Sequence, residues 1–274
     1  MTIFQSLVLG IIQGITEFLP ISSTGHLVLT PFLLGWNIPE NQAFVFDVLV
    51  QVATLVAVIT YFWQDLLSIV EAMLAGIWQK KPFSEPQSKL GWYIVIATFP
   101  AGLAGLVLNG TLEDIFGDPP VTAVFLLLTA LLLIIAERLG HRQRSLDKLN
   151  WKDALVIGFF QIFALFPGVS RSGATITGAM SRDLERPTAA RFSFLMSVPI
   201  LLAAGLLATL DLFKIPNLST ILLAFIPGFL ASALVGYLSI RWLLRYLVNH
   251  SLYVFAIYCT ALSIITLAFY FTGH

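Results

Sequence analysis

The chain has 274 residues, of which 58% are hydrophobic and only 11% charged, and its formal net charge is zero. A water-soluble domain carries roughly a quarter of its residues as charges, so this composition excludes a water-facing globule and makes lipid the expected solvent. The neutral balance gives no basis for nucleic-acid binding. The single cysteine, Cys259 inside an apolar run, excludes an intramolecular disulfide.

The opening residues, MTIFQSLVLG, lack a basic head and read as a poor signal peptide. Residues 2–34 then carry a polar string, QGITEFLPISSTGH, within an apolar segment, and Leu19-Pro20 prevents one continuous helix there. Apolar stretches follow at 44–63, 91–109 and 121–137, each close to the roughly 20 residues that span a bilayer core. Residues 64–90 read as a connecting loop. A second interrupted segment covers 153–181 and breaks at Pro167-Gly168. Three more apolar stretches lie at 192–210, 219–240 and 252–271. The prediction is an all-α membrane protein, a single membrane domain over 1–274, with six transmembrane helices and two re-entrant helical hairpins.

The two halves repeat. At an offset of 148 positions Gly10 meets Gly158, Gln13 meets Gln161, Phe18 meets Phe166, Ser22 meets Ser170 and Gly25 meets Gly173. Phe44, Phe46 and Val50 meet Phe192, Phe194 and Val198. Repeat 1 covers about 1–140 and repeat 2 about 149–274, each one hairpin plus three spanning helices. Three crossings per half invert the second half relative to the first, an architecture known from transporters.

Charge tests this topology. One side holds 13 cations: Lys80, Lys81, Lys89, Arg138, Arg142, Arg144, Lys148, Lys152, Arg182, Arg186, Arg191, Arg241 and Arg245. The other holds only Lys214, beside the acidic loop of Glu113, Asp114 and Asp118. The positive-inside rule places the 13 in the cytoplasm and both termini outside.

Few ionisable groups remain within the bilayer: Glu17 and His26 in the first hairpin and Arg171 in the second. Asp47 is read at the interface, near the start of the first spanning helix. Intramembrane ionisable residues are rare and usually functional. If the hairpin tips meet, Glu17, Ser22, Ser23, Thr24, His26, Ser170, Arg171, Ser172 and Thr175 converge in one polar cavity. Arg171 offers a planar fork suited to phosphate or carboxylate. Ser22, Thr24, Ser170, Ser172 and Thr175 supply hydroxyls, and new helix starts supply free N–H groups that bind anions. The plainer reading is that these hydroxyls only cap broken helices, and that Glu17 pairs with Arg171 for structure alone. Gln13 and Glu17 share a helix face at i, i+4 and are candidates to hold a divalent cation. No HExxH or Cys/His cluster is present, which argues against zinc.

QGITEFLPISSTGH and PGVSRSGAT resemble the two signature regions of the bacterial undecaprenyl-diphosphate phosphatases, the bacitracin-resistance family. FDVLVQVATLVAV and FSFLMSVPILLAAG are similar to that family as well, and the resemblance covers essentially the whole chain. It implies a multi-pass enzyme of the bacterial plasma membrane that removes the terminal phosphate of a C55 lipid diphosphate. The product, undecaprenyl phosphate, carries cell-wall sugars. The family's motif serine falls on Ser23, its histidine on His26, and its Ser-Arg pair on Ser170 and Arg171. Its Glu-or-Gln, then Glu, falls on Gln13 and Glu17, so one carboxylate of the commoner pattern is missing here. The resemblance also implies a divalent cation, Mg²⁺ or Ca²⁺. The other membrane phosphatase type, with a histidine six residues after the arginine, does not fit, since Thr177 stands there.

On this reading Ser23 attacks the terminal phosphorus, Arg171 and the hydroxyls hold its oxygens, and Glu17 or His26 takes the serine proton. His26 as nucleophile, and direct attack by water, stay open. The topology favours a site facing outward, with a lateral opening for the lipid tail. A homodimer is compatible with the sequence. The rival readings are a transporter or flippase of phosphate or lipid phosphate, and a membrane scaffold.

Overall fold

The computed structural model describes residues 1–112, 116–212 and 218–272. Glu113, Asp114 and Lys214, which entered the charge count above, lie outside the described residues.

The described chain is helical. In order it forms α1 (Ile3–Thr16), α2 (Ser23–Leu34), α3 (Glu40–Tyr61), α4 (Trp63–Trp78), α5 (Pro86–Leu112) and α6 (Pro119–Leu139). The second half forms α7 (Trp151–Ile162), α8 (Arg171–Met180), α9 (Arg186–Leu212), α10 (Leu218–Asn249) and α11 (Tyr253–Phe271). Six of these helices, α3, α5, α6, α9, α10 and α11, are long and apolar enough to cross a membrane. They match the six predicted stretches. The four helices of the interrupted segments are short, from 10 to 14 residues. At 1.5 Å per residue they reach about 15–21 Å, less than a bilayer core.

Local chemistry sets their ends. Thr2 caps α1 in a reciprocal box with Gln5, and Asn150 caps α7 in the same way with Asp153. Ser22 caps α2 by accepting the Gly25 N–H, and Ser170 caps α8 by accepting the Gly173 N–H, both at 3.1 Å. Each cap thus recurs 148 positions later, Ser22 and Ser170 as the same residue, Thr2 and Asn150 as different residues of like chemistry.

The short helices pack across the halves. α1 lies along α10, and α7 lies along α5. Both crossings are close because glycine is present. A Cβ on Gly10 would stand 2.2 Å from the Gly228 carbonyl oxygen, and one on Gly158 would stand 2.5 Å from that of Ala97. α6 packs against α11. A continuous core runs between the elements, with Phe18, Phe62, Phe192 and Phe194 fully or almost fully buried at its centre.

One sequence expectation changes. Residues 63–78, read as loop, form α4, whose buried face (Ile69, Ala72, Gly76) is narrow and whose Trp63, Leu74 and Trp78 remain exposed. At 16 residues, with Asp65 and Glu71 in it, α4 is shorter and more charged than a spanning stretch. α3 begins at Glu40, which sets Asp47 about 10 Å along its axis, in the second turn.

Four of the loop cations are tied by ion pairs to two buried carboxylates. Glu137 holds Arg186 through two oxygens at 2.7 and 2.6 Å, holds Arg142, and accepts the Leu252 N–H. Asp153, whose side chain is fully buried, holds Arg144 and Arg182 at 2.6 and 2.8 Å. Burial alone would raise the Asp153 carboxyl, but hydrogen bonds from Arg144, Arg182 and the Asn150 N–H outweigh it and hold the group below the usual carboxylate range.

Candidate active site

Glu17 closes the last turn of α1, its N–H bonded to the Gln13 carbonyl at 2.9 Å. The chain then turns through Phe18–Ile21, with Pro20 ending the helical path. Ser22 takes φ 70°, a left-handed angle rare for a side-chain-bearing residue. That turn points the first residues of α2 back toward Glu17, and the Ser23 hydroxyl donates to Glu17 Oε2 at 2.7 Å.

The second break is built by Pro167-Gly168. Gly168 has φ 97°, and a Cβ there would stand 2.2 Å from the Thr122 carbonyl oxygen, so only glycine fits. Thr129 on α6 fixes this turn by donating to the Gly168 carbonyl at 3.2 Å and accepting the Ser170 N–H at 2.9 Å. α8 starts immediately after, with Arg171 as its first residue.

The two breaks meet. Arg171 Nη2 donates to Glu17 Oε1 at 3.0 Å, and Ser172 Oγ donates to the Leu19 carbonyl at 3.1 Å. Glu17 is therefore the hub: one oxygen receives Arg171, the other receives Ser23 and, at 3.1 Å, Gln13 Nε2. Its side chain is 7% exposed and that of Arg171 is 13%. Pairing is what makes both charges tolerable at such burial. The first residues of α2 and α8, with their free N–H groups, face the same cluster, which adds positive potential for an anion.

The remaining predicted residues divide. Ser23 and Thr24 are partly exposed, whereas Ser22, Ser170 and Ser172 are buried. Ser22 and Ser170 spend an acceptor on their caps and keep a hydroxyl within 3.4 and 3.1 Å of Thr24 and Ser172. Thr175 points elsewhere: its hydroxyl bonds the Arg171 carbonyl and the Ser193 hydroxyl, at 2.8 and 2.6 Å. His26 is also turned away. Its Nδ1 lies 2.7 Å from the Ser22 carbonyl, and its Nε2 lies 2.7 Å from the Tyr258 hydroxyl, with the two rings stacked. The Ser22 carbonyl can only accept, so Nδ1 carries the proton and Nε2 accepts from Tyr258. His26 thus links the start of α2 to α11.

Gln13 and Glu17 make a poor cation site by themselves. Both Glu17 oxygens are engaged, its charge is offset by Arg171, and the only vacant acceptor is the buried Gln13 Oε1. No group of three or more His, Cys, Asp or Glu able to hold a metal ion occurs among the described residues.

A cavity of about 690 Å³ opens beside the cluster, reached through Thr24 and Pro167. Leu27, Val28, Ala204 and Ala208 give it apolar walls, and Trp36, Glu40 and Gly117 also line it. Asp47 and Gln51 also line it. The sequence reading missed both as site residues, although two polar residues at i, i+4 within FDVLVQVATLVAV are a detectable signal. Tyr258, Ser193 and Thr129 were missed as well, and sit singly on long apolar helices.

A family model described as bacitracin resistance protein BacA matches residues 6–265. A protein of Thermomicrobium roseum named undecaprenyl-diphosphatase is 42% identical over 274 residues, covering 97% of this chain and 98% of the relative. Proteins of the same name from Chloroherpeton thalassium and Moorella thermoacetica are 43% and 42% identical, each over 98% of this chain.

Proposed function

The chain belongs to the bacitracin resistance protein BacA family, and from that premise we propose what its polar cluster does. The protein is an undecaprenyl-diphosphatase, a membrane hydrolase acting on a lipid diphosphate, as its relatives are named. It hydrolyses undecaprenyl diphosphate to undecaprenyl phosphate and inorganic phosphate, recycling the lipid carrier for cell-wall synthesis.

Ser23 is the nucleophile and Glu17 its base. The single observation that carries this assignment is the 2.7 Å bond from the Ser23 hydroxyl to Glu17. His26 is not the base, because both of its nitrogens are engaged by Ser22 and Tyr258. Ser23 Oγ attacks the terminal phosphorus, its proton passes to Glu17, and the bond from phosphorus to the bridging oxygen breaks. Glu17 returns that proton to the leaving lipid phosphate, then takes one from the water that attacks the phosphoserine and passes it to Ser23 Oγ as the bond from phosphorus to Oγ breaks, restoring serine and carboxylate. Arg171 uses two donor contacts in the free protein, to Glu17 and to the Ser193 carbonyl. Its remaining N–H donors, with the amides opening α2 and α8, neutralise the phosphoryl oxygens. No step is routed through a cation at Gln13 and Glu17, since that donor set does not fit one.

The interrupted segments are re-entrant hairpins and the halves an inverted repeat. The 148-residue recurrence of caps, the crossed packing of α1 on α10 and α7 on α5, and helices too short to span support this arrangement. Met1, Trp36 and Glu40 line the cavity, and they belong to segments that the charge count assigns to the cation-poor side, in keeping with outer termini and an outward-facing site. The apolar cavity walls suit the first part of a polyprenyl chain entering from lipid.

Purified protein should release phosphate from a C55 diphosphate in detergent. Phosphate or lipid flux in vesicles without hydrolysis would instead mark the transporter reading, which the relatives' names do not favour.

A further inference from the structure

Three buried carboxylates, Glu17, Glu137 and Asp153, all hold arginines. Asp47 differs. It is half-buried within a spanning helix and lines the 690 Å³ cavity, yet its carboxylate makes no hydrogen bond or ion pair among the described residues. Gln51, one turn further on the same face of α3, lines the cavity too, and its side-chain amide is equally without a partner among those residues. A carboxylate without a partner on an apolar helix is costly unless it is protonated or a ligand offsets it.

The ligand follows from charge. On the reading proposed above, on which this inference rests, the cavity receives a diphosphate. A carboxylate facing a diphosphate repels it unless a cation lies between them. Mg²⁺ commonly binds through one or two carboxylates plus substrate phosphates, keeping waters at its other positions. One free carboxylate, a neighbouring amide oxygen and the Thr24 hydroxyl at the inner end of the same cavity suit that pattern. The Gln13–Glu17 pair does not.

We propose that Asp47, assisted by Gln51, receives the divalent cation that enters with the diphosphate head group, and that Gln13 and Glu17 do not bind it. Arg171 then meets the terminal phosphate from one side while the cation neutralises the head group from the α3 side. One carboxylate from α3 takes over the task that a second carboxylate in the first hairpin would otherwise perform.

The test uses full-length detergent-purified protein. Ca²⁺ is titrated calorimetrically into the Ser23→Ala variant loaded with C55 diphosphate, with and without Asp47→Asn, Asp47→Glu or Gln13→Ala. Asp47→Asn should weaken Ca²⁺ binding about tenfold or more, Asp47→Glu should restore most of it, and Gln13→Ala should leave it within about twofold. In the wild-type background, Asp47→Asn should raise the Mg²⁺ concentration for half-maximal phosphate release by a similar factor. Unchanged Ca²⁺ affinity in Asp47→Asn, or a loss confined to Gln13→Ala, overturns the proposal. Direct donation from a protonated Asp47 to phosphate would show as a raised KM with unchanged Ca²⁺ affinity, and also overturns it. Failure of the Ser23 assignment shows separately, as turnover by the Ser23→Ala protein.

Discussion

The Arg171 guanidinium lies 3.0 Å from the Glu17 carboxylate, across 154 positions of sequence and between two separately broken helices. Because Glu17 also accepts the Ser23 hydroxyl, one carboxylate sets the position of both the nucleophile and the anion-binding cation. Arg171→Lys keeps the charge but loses the fork that reaches Glu17 and phosphate together. Phosphate release should fall by about 10²-fold or more, mainly in kcat. Steady-state kinetics on the purified variant check this, and a change confined to KM would count against a role in the transition state.

The His26–Tyr258 link predicts a different pattern. Tyr258→Phe removes the donor to Nε2 while keeping the stacked ring. It should cost about 1 kcal/mol of stability and lower kcat by less than about tenfold, because the serine proton goes to Glu17. A loss as deep as that of Ser23→Ala would place His26 in the proton transfer itself.

The glycine crossings predict matched effects in the two halves. Gly10→Ala and Gly158→Ala each push a methyl against a backbone carbonyl that cannot move aside. Each should destabilise by roughly 1–3 kcal/mol, despite a gain of about 1 kcal/mol in helix propensity. Thermal unfolding in detergent measures both. A stabilised variant would show that α1 or α7 does not sit as closely as described.

Asp153 predicts the acid limb of stability. Its folded carboxyl is held below its unfolded value, so its contribution is complete above about pH 4 and is lost as pH falls through the folded value. Melting temperature should therefore change little from this group between pH 7 and 5 and drop at more acid pH. Asp153→Asn should cost about 2 kcal/mol at pH 7, less than for a fully buried pair because Arg144 and Arg182 stay partly in water. The variant should also lose part of the acid dependence. An unchanged acid limb would assign it to another carboxylate.

What the sequence made legible follows from contrast. Glu17, Ser23 and Arg171 stand out because polar residues beside proline breaks are costly in an apolar run, and the six spanning stretches stand out by length. The offset of 148 also paired the two caps before any coordinates. Thr129, Ser193 and Tyr258 gave no such contrast: one hydroxyl on a long apolar helix is ordinary, and its importance comes from a partner far along the chain. α4 escaped because its apolar run, 16 residues with Asp65 and Glu71 in it, falls short of a spanning length. Asp47 is visible as a carboxylate, but that it lines a cavity together with Gln51 depends on how α3 packs. His26 was visible as a titratable group, yet only the position of Tyr258 reveals that its ring faces α11 rather than Ser23.

The central claim is that Ser23, activated by Glu17, attacks the terminal phosphorus. The most direct measurement is kcat for phosphate release from C55 diphosphate by purified wild-type, Ser23→Ala and Glu17→Gln proteins of equal thermal stability. Both variants should fall by about 10³-fold or more, and the double variant should fall little further, since the two groups act as a unit. Ser23→Ala with near wild-type turnover would contradict the account.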